Sequence, residues 1–293
     1  MKTYRFILFL FWVAFMPTLL SAQNTVYYQS PSLDILKAKE LYLARNYVSA
    51  INQFDQIARE ADENSEVRAE AMFYKALCGL KLDNRNADGQ ITDFMNQFPE
   101  SSFRNRALFE LAIYNFDKRK FAAVLKSFDG FNKNKLSRDE LAHFYYMRGY
   151  ANFELEKMDA ASLDFFEIKE GNSLYAAPAK YYWGHIHYLK GNYESALQEF
   201  LKLQKNPVFE KVIPFYISQI YYKQGKYSEV VKYTAPLINT VSADQQPELA
   251  RILVNYGNAT GAEIYELSEE IKQSVQEKFG VELEREVNVI SLP

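Results

Sequence analysis

Glycine and proline are scarce in this chain, with 11 Gly and 9 Pro among 293 residues, about 7% where an average globular sequence carries about 12%. Few breakers mean few turns, so the 22 Tyr and 22 Phe belong on helices rather than on the short, turn-punctuated strands of a sandwich. Cysteine is almost absent. A single Cys78 excludes an intramolecular disulfide, and its neighbours Ala76, Leu77, Gly79 and Leu80 give it the setting of a buried, unreactive thiol. An excess of one charge is also lacking: the formal net charge is −3, with 48% hydrophobic and 24% charged residues. That leaves no electrostatic footprint for a nucleic-acid partner, and it fits neither a disordered chain nor a multi-span membrane protein.

The one long hydrophobic run is at the start. Lys2 and Arg5 precede an apolar stretch from Phe6 to Met16, followed by Pro17 and Leu20-Ser21-Ala22-Gln23. This is the charged, apolar and small-residue order of a secretory signal, with cleavage expected after Ala22. The run falls short of the roughly 20 apolar residues of a spanning helix, and no cysteine follows it for lipid attachment. Residues 1–22 are therefore read as a signal peptide and the remainder as exported to the periplasm or cell envelope, where a near absence of thiols is no handicap.

Beyond the leader the sequence repeats. A small residue is followed nine positions later by a bulky one, three later by a small or branched one, and four later by an aromatic. The sets are Ala38, Tyr47, Ala50, Phe54; Ala112, Phe121, Val124, Phe128; Gly149, Met158, Ala161, Phe165; and Gly184, Tyr193, Ala196, Phe200. A last set, Ser218, Tyr227 and Val230, ends on Thr234, and a looser unit surrounds Ala76 and closes with Phe94 and Pro99. Successive first members are 38, 36, 37, 35 and 34 residues apart. Small residues let two helices approach, the aromatics fill the space beside them, and Lys190-Gly191-Asn192 and Gln224-Gly225-Lys226 are short turns between helices. The pattern resembles the tetratricopeptide repeat. The resemblance implies a mainly α fold, a right-handed solenoid of about six helical hairpins over residues 31–240 with a concave inner face.

Such arrays resemble one another in binding a partner along the first helix of each hairpin, at positions six and three before the small marker residue and one and four after it. That places His143, Tyr146, Tyr150 and Phe153 on the inner face, then Pro178, Tyr181, His185 and Tyr188, then Val212, Phe215, Gln219 and Tyr222. The preceding hairpin contributes Arg106, Phe109, Ile113 and Phe116. The expected partner-binding residues are His143, Tyr146, Tyr150, Tyr181, His185, Tyr188, Phe215, Gln219 and Tyr222. An aromatic, nearly uncharged face of this kind suits a protein, peptide or glycan partner and not an acidic peptide terminus. The alternative is that several of these rings pack against the next repeat. A metal site is not expected: His185 and His187 are two residues apart on a helix and face different ways.

The end of the chain departs from the repeat. After Arg251 comes Leu253-Val254-Asn255-Tyr256-Gly257-Asn258-Ala259-Thr260-Gly261, then an amphipathic stretch from Ala262 to Phe279 with Ile264, Leu267, Ile271 and Val275 at helical spacing, then Gly280 and an alternating segment from Val281 to Ile290. A small β-α-β-like tail is expected. Residues 253–260, the helix 263–279 and Leu283-Glu284-x-Glu286-Val287 resemble the carboxy-terminal end of the UDP-N-acetylenolpyruvoylglucosamine reductase (UDP-N-acetylmuramate dehydrogenase) family. The resemblance implies that residues 253–290 are a fragment of that domain, and that Glu286 stands where the family keeps the acid that protonates the substrate carbon. It would also imply FAD and NADPH. Residues 1–252, however, hold neither a Gly-rich flavin-phosphate loop nor a Gly-Ser-x-x-Phe-x-Asn-Pro-like segment with its catalytic serine, so Glu286 has no cofactor to serve. The leading expectation is an exported repeat scaffold without catalysis and without cofactor, whose reading frame runs on into a piece of an unrelated enzyme. The alternative is the reductase itself, acting in the cytoplasm.

Overall fold

The computed structural model describes residues 31–237 and, beyond them, 247, 249–250, 265, 268–269, 272–273, 275–277 and 280–283. The described residues are mainly α-helical, with no strand among them. Up to residue 237 the helices are α1 (Pro31–Leu43), α2 (Tyr47–Glu60), α3 (Glu66–Lys81), α4 (Ala87–Gln97), α5 (Arg104–Asp117), α6 (Phe121–Ser127), α7 (Arg138–Glu154), α8 (Met158–Ile168), α9 (Ala176–Leu189), α10 (Tyr193–Leu203), α11 (Ile213–Lys223) and α12 (Tyr227–Thr234). The chain divides into two compact units between Cys78 and Gly79, a boundary that the repeat pattern does not mark.

Helix pairs are joined by one turn used six times. Arg45, Asp83, Arg119, Glu156, Gly191 and Gly225 all adopt the left-handed conformation, with φ between 53° and 77°. Around each, two backbone bonds close the helix end: Arg119 N–H donates to Phe116 O at 2.9 Å and Lys120 N–H to Asn115 O at 2.8 Å, and the same pair recurs at Glu156 and Lys157, Gly191 and Asn192, and Gly225 and Lys226. This double closure satisfies carbonyls that a helix end leaves open. Only two of the six positions are glycine. The other four carry a Cβ in a conformation that costs an L residue about 1–2 kcal/mol.

In the first unit, Ala38 of α1 and Ala50 and Phe54 of α2 are fully buried in one hydrophobic cluster. Asn46 caps α2, its Oδ1 accepting from Ser49 N–H at 3.4 Å. Cys78 is buried, which pushes its thiol up to about 11, so it stays protonated and unreactive at neutral pH.

In the second unit each hairpin packs small on large. A Cβ added to Gly184 would lie 2.9 Å from the Phe200 ring, and one added to Gly149 would lie 3.1 Å from Phe165. The glycines are there because the rings are. The last hairpin shows the reverse substitution: Ser218 has a side chain, and no ring fits opposite it. Thr234 takes that place, its Oγ1 donating to Ser218 Oγ at 2.7 Å, while Ser218 Oγ donates to Pro214 O at 2.8 Å. The α5–α6 hairpin differs in another way. Helix α6 ends at Ser127, and Phe128, just past it, meets Phe144 of α7 at 4.7 Å between centroids. Helix α7 opens with a full capping box, Ser137 N–H donating to Glu140 Oε2 at 3.0 Å and Glu140 N–H to Ser137 Oγ at 3.4 Å.

Past the sixth hairpin, Leu249 is buried against Val230, with Phe215, Tyr221, Tyr222 and Leu237 packed around them. Residues 265, 268–269, 272–273 and 275–277 are helical, within the stretch expected to form the tail helix. Of the expected strand 281–290, residues 281–283 are described and have no regular secondary structure. The signal segment 1–22 and Glu286 lie outside the described residues.

Candidate functional site

The first helices of the second unit, α5, α7, α9 and α11, carry the residues singled out from the sequence, and His143, Tyr146, Tyr150, Tyr181, His185, Tyr188, Phe215, Gln219 and Tyr222 are each half-buried. Their rings touch across the hairpins. Phe116 of α5 meets Tyr146 at 6.1 Å and Tyr150 at 5.6 Å; Tyr150 and Phe153 of α7 meet Tyr182 of α9 at 5.2 and 5.1 Å; and Tyr181, His185 and Tyr188 of α9 meet Tyr216 of α11 at 6.1, 5.4 and 5.4 Å. Phe215 is joined to this group through Tyr216 at 6.0 Å, and Gln219 accepts a hydrogen bond from Tyr188 Oη. Tyr222 lies at the far end, 6.3 Å from Tyr227.

Four of the contributing rings escaped the sequence reading. Tyr175 stacks on His143 at 5.0 Å and on Tyr146 at 4.9 Å, and Phe209 stacks on Tyr181 at 4.9 Å. Both stand nine residues before a marker, Gly184 or Ser218, where the chain enters a first helix. That shared offset was the available signal. Tyr182 and Tyr216 are the others. Each directly follows a residue already chosen and bridges between hairpins: Tyr182 stacks on Phe165 at 5.3 Å and Tyr216 on Phe200 at 5.0 Å. These two are part core and part surface, so the ring face and the hairpin core are continuous.

The face carries little charge. Burial pushes the Tyr146 hydroxyl up to about 12 and also raises Tyr150, Tyr188 and Tyr216, so all four are neutral phenols at physiological pH. Burial lowers His143 and His185 below the usual imidazole value, which keeps both neutral near pH 7. His185 Nδ1 is buried without a hydrogen-bond partner among the described residues. The ring of His187 lies 3.8 Å from that of Trp183, away from His185, which sits beside Tyr181. No group of three or more His, Cys, Asp or Glu suited to a metal occurs among the described residues. The single cation at these positions, Arg106, is paired with Glu110 at 2.6 Å and with Glu140.

Buried formal charge lies instead inside one hairpin, at Arg148 and Asp164, and between two hairpins, where Lys169 at the end of α8 meets Glu199 of α10. Arg148 Nε donates to both oxygens of buried Asp164 at 3.0 and 3.1 Å, with Asn152 Nδ2 adding a bond at 3.4 Å. Lys169, itself buried, donates to Glu199 at 2.7 Å and lies 4.7 Å over the Trp183 ring. Asn115 and Ser127 occupy the matching place in α5–α6, at 3.5 Å. They lie in the lining of a cleft of about 580 Å³ between α4, α5 and α6. A second cleft of about 370 Å³ opens beside Tyr145, Glu167 and Ser173. Neither contains a residue selected from the sequence.

The class defined by these elements is a helical-hairpin repeat protein with an aromatic face. Among solved structures, a chain in the complex described as Naa15/Naa10 bound to HypK-THB, a helical protein of tetratricopeptide type, superimposes with a TM-score of 0.52 at 15% identity, over 85% of this chain and 37% of that one. This is a likeness of fold. The more specific match lies in the tail: the family model for the UDP-N-acetylenolpyruvoylglucosamine reductase C-terminal domain matches residues 239–290. The reductase of Flavobacterium johnsoniae is 58% identical over 41 residues, 14% of this chain and 12% of that enzyme. That of Xylella fastidiosa strain 9a5c is 54% identical over 44 residues, 15% of this chain and 12% of the enzyme. The chain thus spans about 12% of the length of these curated relatives.

Proposed function

We propose that this protein is an exported scaffold that binds a partner protein or peptide along the inner face of a right-handed, concave array of hairpins, without catalysis or cofactor of its own. The observation that carries the reading is the unbroken series of half-buried rings from Phe116 to Phe215, contributed by four successive first helices. Tyrosines offer large contact area at low side-chain entropy cost, and a solenoid supplies the extended surface on which they are displayed. Residues 1–22 direct export under this reading, and no helix among the described residues is long and apolar enough to cross a membrane. The neighbouring solved complex pairs its own chains with protein partners, which supports a scaffold role by analogy of fold alone.

A photo-crosslinking residue placed in turn at Tyr150, Tyr188 and exposed Gln198 tests the reading. One and the same identified partner should be captured from Tyr150 and Tyr188 and not from Gln198; capture from Gln198 alone overturns it. Cell fractionation with the mass of the mature amino terminus tests export, with Gln23 expected as the first residue.

The tail match favours a second reading, UDP-N-acetylmuramate dehydrogenase activity using FAD and NADPH, with Glu286 as the acid. The flavin-phosphate loop and serine segment that this chemistry needs are not found in residues 1–252, so no step is assigned to Glu286. Purified protein that is yellow and oxidises NADPH with UDP-N-acetylglucosamine enolpyruvate would replace the scaffold reading with this one.

A further inference from the structure

The rows of face positions continue past the sixth hairpin. Tyr146, Tyr181 and Phe215 stand three residues before their markers, 35 and 34 residues apart, and Leu249 follows 34 further on. The bridging row does the same, with Tyr182, Tyr216 and Ala250 each 34 residues apart. Pro247, Leu249 and Ala250 are helical. Pro247 also matches Pro178 and Pro214 in the first turns of α9 and α11, where a missing N–H costs a helix nothing. These residues therefore stand where a seventh first helix belongs, although they lie within the stretch 239–290 that matches the reductase domain.

Size and burial agree with that placement. Tyr182 stacks on Phe165 and Tyr216 on Phe200; where the next phenylalanine should be, the chain has Thr234, and the counterpart of the stacking tyrosine is Ala250. Tyr146, Tyr181 and Phe215 are half-buried, whereas Leu249 is 2% exposed and Ala250 8%. Both rows thus pass from aromatic to aliphatic residues at the point where they pass from half-open to closed. Leu249 and Val230 form the buried cluster against which Phe215 and Tyr222 pack, and those two are the last rings expected to meet a partner. Apolar surface already removed from water offers no further gain to an incoming ligand, and a segment of the same chain competes for it at high effective concentration.

We propose that the segment holding Pro247, Leu249 and Ala250 occupies the α11 end of the ring face in cis, so that Phe215 and Tyr222 are held by the chain's own reductase-like tail and the partner is confined to α5, α7 and α9. The confinement rests on the partner-binding reading above; the occupancy does not.

The test uses the full chain with a photo-crosslinking residue at Tyr222, irradiated alone and with the partner captured from Tyr150. Alone, it should crosslink within the chain to residues 247–250, located by tandem mass spectrometry; a product confined to 233–237, or none, overturns the occupancy. With the partner present, Tyr222 should capture none of it in the parent and should capture it once Leu249→Asp is added. Capture in the parent, or no capture in Leu249→Asp, overturns the confinement. Leu249→Ala, a milder change, gives a readout that needs no partner: amide hydrogens of α11 and α12 should exchange at least fivefold faster while those of α7 keep their rates. Unchanged rates in α11 and α12 overturn the occupancy. Loss of capture at both Tyr150 and Tyr188, with the crosslink from Tyr222 to 247–250 in place, overturns the partner-binding reading and with it the confinement, and leaves the occupancy standing.

Discussion

In the second unit the seam inside each hairpin and the ring face across the hairpins bury their atoms by different means. The seam is built from residues close in sequence: Gly149 with Phe165, its counterpart Gly184 with Phe200 one repeat on, and Arg148 with Asp164. The ring face joins residues of different hairpins, and its contacts recur one repeat apart as well: Tyr150 meets Tyr182 edge-on as His185 meets Tyr216, and Tyr146 stacks on Tyr175 as Tyr181 stacks on Phe209. The seam tolerates little change in volume or charge because it is enclosed. The ring face is half open, so its rings pack against one another and stay partly exposed.

The largest effect is expected where charge is buried between two hairpins, at Lys169 beside α8 and Glu199 of α10. Lys169→Met strands Glu199, whose Oε2 already lacks a partner and whose remaining ion pair is with half-exposed Lys202 at 3.0 Å. Loss of one member of a buried pair costs about 3–5 kcal/mol, and replacement of both members is often close to neutral. Urea denaturation should therefore show Lys169→Met about 3 kcal/mol less stable and the Lys169→Met, Glu199→Leu double variant within about 1 kcal/mol of the parent. If the two variants are equally unstable, this contact between hairpins is governed by volume and not by charge.

Changes of volume in the seam come next. Gly184→Val drives its side chain into the Phe200 ring and should cost about 2–3 kcal/mol, and adding Phe200→Leu should recover part of that loss. Removal of a ring from the face is intermediate in kind. Tyr181 contacts Phe200 as well as Phe209 and Tyr216, so Tyr181→Ala lowers stability and is a poor probe of binding alone.

Smaller effects come from the turns. Glu156→Gly removes a Cβ from a left-handed position and should add about 0.5–1 kcal/mol, whereas Gly191→Ala at φ 77° should cost about as much. Equal and opposite shifts in the denaturation midpoint would establish that the six turns are equivalent.

The gentlest effect is that of pH, and it separates face from seam. Burial lowers His143 and His185 on the face, and lowers His187 beside Trp183, from the unperturbed value of 6.5. Between their folded values and 6.5 the unfolded chain binds more protons, so stability falls as pH drops below about 6.5 and is flat with respect to these groups above it. Denaturation at pH 7.5, 6.5 and 5.5 should show this slope, reduced in His143→Phe, His185→Phe. An unchanged slope would place its origin in the seam.

Much of the fold was legible because a hairpin repeats its own rules. Ala38, Ala112 and Ser218, chosen for their spacing, are all fully buried, and Gly191 and Gly225 announced their turns. The equivalent turns at Arg45, Asp83, Arg119 and Glu156 were hidden, since nothing in those side chains signals a positive φ. Phe128, placed in the repeat by its spacing, stands at the end of α6, packs against the cluster of Phe109 and Val124, and also meets Phe144 of α7.

The sequence by itself determined the helical class, the period, the small-on-large pairing within each hairpin, and the likeness of the tail to a reductase domain, because each of these is a pattern over neighbouring residues or a direct match of letters. Only the tertiary structure decided that the chain divides within α3, that Thr234 and Ser218 replace a ring with a hydrogen bond, and that Tyr175, Tyr182, Phe209 and Tyr216 join the face. Those outcomes depend on how one hairpin meets the next. That arrangement is set by the packing of several side chains at once, and even the shared offset of Tyr175 and Phe209 from their markers does not by itself say which rings they meet.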